Sequence, residues 1–236
     1  MRITLIGTGN LGTNLGAALQ SAGHEVTVLH GRDFAAVDVR GDLVIVAVKD
    51  DALPSVAARL EGCDKLVVHT AGSVPMGVIP CSRRGVFYPM QTFSKSRLVE
   101  FSDIPIFLET ERPADMEMLE GLAASISRSV YHLDGEGRRR LHLAAVFACN
   151  FANHCYALSA EVLKGAGLPL DVMLPLIDET ARKVHSLSPK EAQTGPAVRY
   201  DESVIARQEA MLEGTTREIY HLMSKSIHDT LRPKED

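Results

Sequence analysis

A doubly wound α/β sheet followed by an all-helical C-terminal part is the architecture this sequence predicts, on three observations. Over the first half, short apolar runs rich in β-branched residues alternate with stretches of helical periodicity. A Gly7-Thr8-Gly9-Asn10-Leu11-Gly12 turn stands between the first run and the first helical stretch. Beyond residue 134 the strand-like runs stop and helical periodicity continues. Alternating strand and helix implies βαβ units, because parallel neighbours need a crossover between them.

The elements follow in order. Ile3–Ile6, Val26–His30, Leu43–Val48 and Leu66–Thr70 read as buried strands. Between them, Asn10–Ala22 lines up Leu11, Leu15, Ala18 and Leu19, and Asp51–Leu60 lines up Leu53, Val56, Ala57 and Leu60. Gly85–Tyr88, Ile104–Glu109 and Val130–Leu133 complete the sheet, with a helix from about Pro113 to Ser127. From Arg138 to Lys164 there is no Pro or Gly, and Leu141, Ala145, Ala148, Ala152 and Leu158 recur at helical intervals. One long helix is expected there, ending at Gly165 and Gly167. Leu170–His185 and Glu202–Leu231 read as further helices around an irregular Ser188–Asp201.

Composition narrows the function. The chain has 236 residues, 45% of them apolar and 23% charged, with 18 Gly and 11 Pro, which fits a globular protein. A net charge of −5 supplies no general attraction to nucleic acid or an anionic membrane, so a small-molecule ligand is expected. Cys63, Cys81, Cys149 and Cys155 form no CxxC pair, which reads as reduced thiols and a cytoplasmic setting. No stretch reaches the ~18 apolar residues of a membrane span, and Met1–Ile6 runs into the glycine turn without a leader pattern. The nine histidines include no HExxH, so no metal site is expected.

Gly7-x-Gly9-x-x-Gly12 follows a strand and opens a helix, the context in which such a pattern binds a dinucleotide, and Gly16 comes one turn later. The first Gly permits the turn, the second lets pyrophosphate approach the backbone, and the third lets helix and strand pack closely. Thr8, Asn10 and Leu11 then bring their N–H groups to the phosphates at the helix N-terminus. A tight turn whose glycines serve packing alone is the structural alternative. At the end of the second strand stand His30-Gly31-Arg32, where an acid would take a ribose 2′-hydroxyl; a forked cation there favours NADP over NAD, with Asp33 as a counter-signal.

Three further segments carry a resemblance: Phe87-Tyr-Pro-Met-Gln-Thr-Phe-Ser94, the helical Leu141-His-Leu-Ala-Ala-Val-Phe-Ala-Cys-Asn-Phe-Ala-Asn-His154, and Gln193-Thr-Gly-Pro-Ala-Val-Arg199-Tyr-Asp201. With the glycine turn, they make the chain resemble oxidoreductases that join a Rossmann-like N-terminal domain to a DUF2520 C-terminal domain. More distantly it is similar to the 6-phosphogluconate dehydrogenase C-terminal-like superfamily, including pyrroline-5-carboxylate reductase, ketopantoate reductase and β-hydroxyacid dehydrogenases. The resemblance implies a Rossmann-type doubly wound parallel sheet followed by an all-helical C-terminal domain. It also implies hydride transfer between NADP(H) and a small C=O or C=N substrate in an interdomain cleft, and a homodimer through the helical part. Residues 1–133 are expected to be the dinucleotide-binding domain and 134–236 the helical substrate and dimerisation domain. Several relatives use a Lys four residues before an Asn on the first long helix; here Val146 precedes Asn150 and Cys149 precedes Asn153. That departure keeps open a non-catalytic NADP-binding sensor or assembly protein; a deazaflavin partner beside or instead of a second substrate is a further enzyme alternative.

Other polar residues are candidates for the missing donor. At about 100° per residue, His142 and Asn153 fall within about 20° of each other on the long helix, and Asn150 about 80° from His142. An imidazole can protonate an alkoxide or amine near neutral pH; His142 and Asn150 are the leading site candidates there and His154 a weaker one, against ordinary core or helix-contact roles. His69, Thr70 and Ser73 follow the fourth strand at the edge where the nicotinamide end should lie, Ser73 or Thr70 binding carboxamide or substrate and His69 as a second acid. Tyr88, Gln91 and Thr92 end the next strand. Glu179 and Lys183 have the spacing of a surface pair, yet Lys183 is also the nearest replacement for the absent lysine. Arg199 could clamp a carboxylate or tether Asp201, and Arg138-Arg-Arg140 reads as a solvated helix face.

Overall fold

The computed structural model describes residues 1–35 and 38–231. Its seven strands are β1 (Arg2–Ile6), β2 (Glu25–Leu29), β3 (Leu43–Val46), β4 (Leu66–His69), β5 (Arg84–Pro89), β6 (Ile106–Thr110) and β7 (Val130–His132). They form one sheet in the order β2-β1-β3-β4-β5-β6-β7. Every pair is parallel except β5 with β6. Residues 90–105 contain no helix, so the chain has no crossover with which to make β6 parallel to β5.

Both faces of the sheet are covered, which is why the central strands read as unbroken apolar runs. Along β3, Leu43 and Ile45 join one buried cluster and Val44 and Val46 the other. Leu15 and Leu19 of α1 (Asn10–Ser21) and Leu119 and Leu122 of α3 (Pro113–Ala124) close the first face. Leu53, Val56 and Ala57 of α2 (Leu53–Ala58), with Leu60, close the second. β2 corrects the expectation of a buried strand: it is the sheet edge, and Val28 is 45% exposed.

By its internal contacts the chain divides into two compact units, Met1–Asn150 and Phe151–Asp236. α4 (Gly135–Ala145) belongs to the first; its N-cap Asp134 accepts from the Gly137 N–H at 2.7 Å. The single long helix expected over Arg138–Lys164 is instead α4, a π-helical segment Val146–Phe151, and α5 (Ala152–Lys164). Hydrogen bonding to the fifth residue along widens the turn. The angular offsets of Asn150 and Asn153 from His142, reckoned for an unbroken α-helix, therefore do not hold.

The second unit contains α5, α6 (Leu174–Lys183), α7 (Pro189–Ala192), α8 (Pro196–Arg199), α9 (Glu202–Glu209) and α10 (Gly214–Leu231). Two one-turn helices thus occupy the stretch expected to be irregular, each with a proline in its first turn, where a missing N–H costs nothing. The helix expected over Glu202–Leu231 breaks before Gly214, whose φ is +53°. Among the described residues of this unit, Leu163, Ala197 and Ser224 alone are buried. No helix among the described residues is long and apolar enough to cross a membrane.

Candidate functional site

β1 feeds the Gly7–Gly12 turn where the connections to its two neighbours, β2 and β3, diverge, the place at which open α/β sheets bind ligands. The three glycines differ in what demands them. Gly7 has φ +128°, and a Cβ on it would lie 2.1 Å from the Ala47 carbonyl oxygen. A Cβ on Gly12 would lie 2.2 Å from the Gly7 carbonyl oxygen. Gly9 is exposed, with nothing within 4 Å of where its Cβ would be, so neighbouring protein does not require it to be bare. It is the N-cap of α1, with no side-chain cap and no acid in the first turn. The leading N–H groups of α1 and their partial positive charge therefore stay available to an anion.

The rim of this turn comes from the residues after β2. Thr8 Oγ1 lies 3.3 Å from His30 Nδ1. Arg32 is exposed beside Asp33, also exposed. Arg59, just past α2, donates through Nη1 to the carbonyls of Gly31 (3.2 Å) and Arg32 (3.0 Å). Its guanidinium carbon lies 4.1 Å over the Phe34 ring. Arg59 stands outside every sequence pattern, and only the fold brings it here. Asn14 was detectable as an amide in an apolar helix stripe: it is buried, donates to the Asn10 and Ser94 carbonyls and accepts from the Val99 N–H, each at 2.9 Å.

A second cluster forms where β4 and β5 end. The Tyr88 hydroxyl lies 3.1 Å from His142 Nδ1, the rings edge to face at 6.2 Å. Both sit against Gly72, whose Cβ, if present, would be 2.7 Å from His142 Nδ1 and 2.8 Å from Tyr88 Cζ. Ser73 next to it is exposed and donates to Asp50 Oδ2 at 2.5 Å. Burial pushes the Tyr88 phenol pKa up, the Asp50 charge adds to this and Arg138 opposes it. Tyr88 therefore keeps its proton at neutral pH and can give it to an acceptor, with the imidazole placed to replace it.

Arg138 overturns the solvated-face reading. It is 1% exposed, ion-paired to Glu109 and donates through Nη2 to the Val74 carbonyl at 2.7 Å. The β5–β6 reversal sets Glu109 opposite Val86 and Phe107 opposite Tyr88, so one turn of α4 spans the ion pair and the Tyr88–His142 contact. The role of a second acid does not fit His69, which is fully buried, its Nδ1 accepting from the Ala71 N–H at 3.1 Å. Burial lowers its pKa to about 4, aided by Arg138 and opposed by the Pro75 carbonyl and Asp50. At neutral pH it is a neutral ring with its proton on Nε2. Thr70 is buried and turned to the Val46 carbonyl at 3.4 Å.

The remaining candidates are dispersed. Gln91 Oε1 accepts from the Thr92 N–H at 2.8 Å, an ordinary turn contact. Asn150 is exposed in the π segment. In the second unit, Asn153 and His154 are exposed on α5, and Lys183 is half-buried on the last turn of α6. Glu179 has Arg182 at 3.6 Å, where Lys183 was expected. Asp201 accepts from the Val204 N–H (3.2 Å) and Ser203 hydroxyl (3.1 Å), so it caps α9 where a tether to Arg199 was one reading; Arg199 is exposed. No group of three or more His, Cys, Asp or Glu among the described residues could hold a metal ion.

Known structures share this fold. A Bacteroides fragilis protein designated an NADP oxidoreductase is 47% identical and superposes with a TM-score of 0.88, covering 97% of this chain and 98% of its own. An imine reductase of Myxococcus stipitatus in complex with NADP+ is 15% identical with a TM-score of 0.66, covering 98% and 93%. A pyrroline carboxylate reductase of Plasmodium falciparum with NADP bound is 13% identical with a TM-score of 0.58, covering 97% and 98%. At such identities these last two share the fold alone. No curated protein matches the chain. Residues 104–227, more than half of the sequence, match the domain of unknown function DUF2520, and this chain belongs to that family.

Proposed function

We propose that the chain is an NADP-dependent oxidoreductase that moves a hydride between the cofactor's nicotinamide and a small-molecule C=O or C=N group, with Tyr88 and His142 managing the accompanying proton. The cofactor half is supported by the open Gly9, by the uncapped α1 N-terminus and by the exposed Arg32. The NADP oxidoreductase designation of the 47% identical relative agrees with it. Bound NADP supplies or accepts the hydride. The chain supplies the rest: N–H groups of residues 10–12 hold pyrophosphate, Arg32 with His30 meets the 2′-phosphate, and Ser73, oriented by Asp50, lines the nicotinamide end.

The observation that carries the catalytic half is the 3.1 Å contact of Tyr88 with His142 beside Gly72. In the reducing direction, carbon takes the hydride while oxygen or nitrogen takes the Tyr88 proton, and His142 passes a proton taken up from solvent to the phenolate. Asn150 remains a candidate for orienting substrate, and Lys183 for an alternative proton donor. A homodimer through the helical unit completes the reading, supported by how few residues of that unit are buried.

The test uses the purified full chain. NADPH at a hundred times its Kd should stabilise it by about 2.7 kcal/mol, and a panel of cyclic imines and keto acids should show hydride consumption. Tyr88→Phe and His142→Gln should each lower kcat by about 10²–10⁴ with NADPH affinity unchanged. Near-normal kcat in both variants would dismiss the proton role. NADPH binding without turnover on any substrate would point to a nucleotide-binding sensor.

A further inference from the structure

We propose that Arg59 is a positioning residue for cofactor specificity, holding the Gly31–Phe34 turn in the shape that presents Arg32 to an adenosine 2′-phosphate. The inference rests on the NADP reading above and adds to it a residue from a different element, 27 positions along the chain from Arg32.

The turn after β2 has little to fix it from within. Among the described residues, the one backbone bond within it joins the Asp33 N–H to the His30 carbonyl at 3.2 Å. The carbonyls of Gly31 and Arg32 accept from the same Arg59 nitrogen, at 3.2 and 3.0 Å. The guanidinium lies 4.1 Å over the ring of Phe34, which is 2% exposed and packed in the cluster containing Val56 and Leu60. One planar cation therefore ties the turn's backbone to a ring fixed in the core.

Two consequences follow. Fixing the Arg32 carbonyl fixes the backbone from which the exposed Arg32 side chain extends, reducing the freedom it loses when it pairs with a phosphate. Arg59 also keeps a second positive charge at a turn where Asp33 would otherwise offset Arg32. A dianionic 2′-phosphate feels both effects; a ribose 2′-hydroxyl feels neither strongly. A lysine lacks the fork and the flat face, so it can replace the charge but not the grip.

The experiment measures Kd for NADPH and NADH by calorimetry on the full-length wild type, Arg32→Ala, Arg59→Met and Arg59→Lys. The wild type should prefer NADPH and Arg32→Ala should lose that preference. Arg59→Met should raise the NADPH Kd by about tenfold while the NADH Kd moves by less than about twofold, with Arg59→Lys recovering part of the loss. Equal changes for both cofactors, or no change for either, would overturn the positioning role while leaving the Arg32 result intact. A wild type that does not distinguish NADPH from NADH would overturn the cofactor reading and this inference together. Arg59 is exposed, and should Arg59→Met fold poorly, the ratio measured for Arg59→Lys decides by the same criterion.

Discussion

In residues 1–150 β1, β3 and β4 each send side chains into two buried clusters, and Leu5, Ile45, Val67 and Phe87 are fully buried. In the helical unit Leu174, Leu176, Met211 and Leu222 are 47%, 63%, 78% and 64% exposed, and three of its described residues are buried. The first unit closes its core within one chain; the second leaves its apolar side chains in water, at about 25 cal/mol for each Å² left uncovered. A site that must hold a phosphate within tenths of an ångström belongs on the closed unit. The exposed apolar side chains of the open unit support the proposed assembly through it.

The largest effect should come from breaking the closed unit at the glycine turn. Gly12→Ala puts a Cβ 2.2 Å from a backbone oxygen that cannot move without moving β1. It should cost about 4 kcal/mol or more in denaturant unfolding and abolish stabilisation by NADPH. Gly9→Ala meets no atom within 4 Å and should cost about 1 kcal/mol or less, yet still weaken NADPH binding. If Gly9→Ala binds NADPH as the wild type does, the open approach to pyrophosphate is wrong.

That contrast also shows what the sequence made legible. The glycine motif, the strand runs and α1 could be read because each depends on residues close in sequence: a period, a turn, a cap. Arg138 could not, because its burial depends on Glu109 reaching it across the β5–β6 reversal. Nor could Arg59, whose partners are two carbonyls on another turn. His142 was visible as a polar residue in an apolar stripe, but the Tyr88 contact and its dependence on Gly72 needed the fold. The π segment has no signature in the Val146–Phe151 run, so angular reasoning failed beyond it.

The next effect concerns pH and belongs to the closed unit. His69 has a folded pKa of about 4 against a model-peptide value of 6.5, so the unfolded chain takes up a proton at higher pH than the folded one. Stability is therefore fully present above pH 6.5, falls as pH drops towards 4, and levels off below. The loss across that window is roughly 3 kcal/mol. His69→Asn keeps an acceptor for the Ala71 N–H and should remove that part of the pH dependence. Urea unfolding at pH 7.5 and 4.5 checks it: an identical drop in wild type and variant would show that His69 does not carry the effect.

The smallest effect per substitution should appear in the open unit, at a surface proposed to meet a second copy. Cys155, Leu158 and Val162 of α5 face Leu212 and, from α10, Ile219, Tyr220 and Met223 across an apolar groove of about 210 Å³, with Val162 and Met223 49% and 47% exposed at its edge. Neither side chain is needed to close a core, so Val162→Glu and Met223→Glu should fold, and the Gly7–Gly12 turn should still bind NADPH. Each should weaken self-association by about 1–3 kcal/mol, a Kd raised roughly 5- to 150-fold. Sedimentation equilibrium across micromolar concentrations reads this directly. A wild type that stays monomeric throughout would remove the dimer. Variants that dimerise like the wild type would move the interface off this groove, for example towards α6, where Leu174 and Leu176 offer another exposed apolar surface.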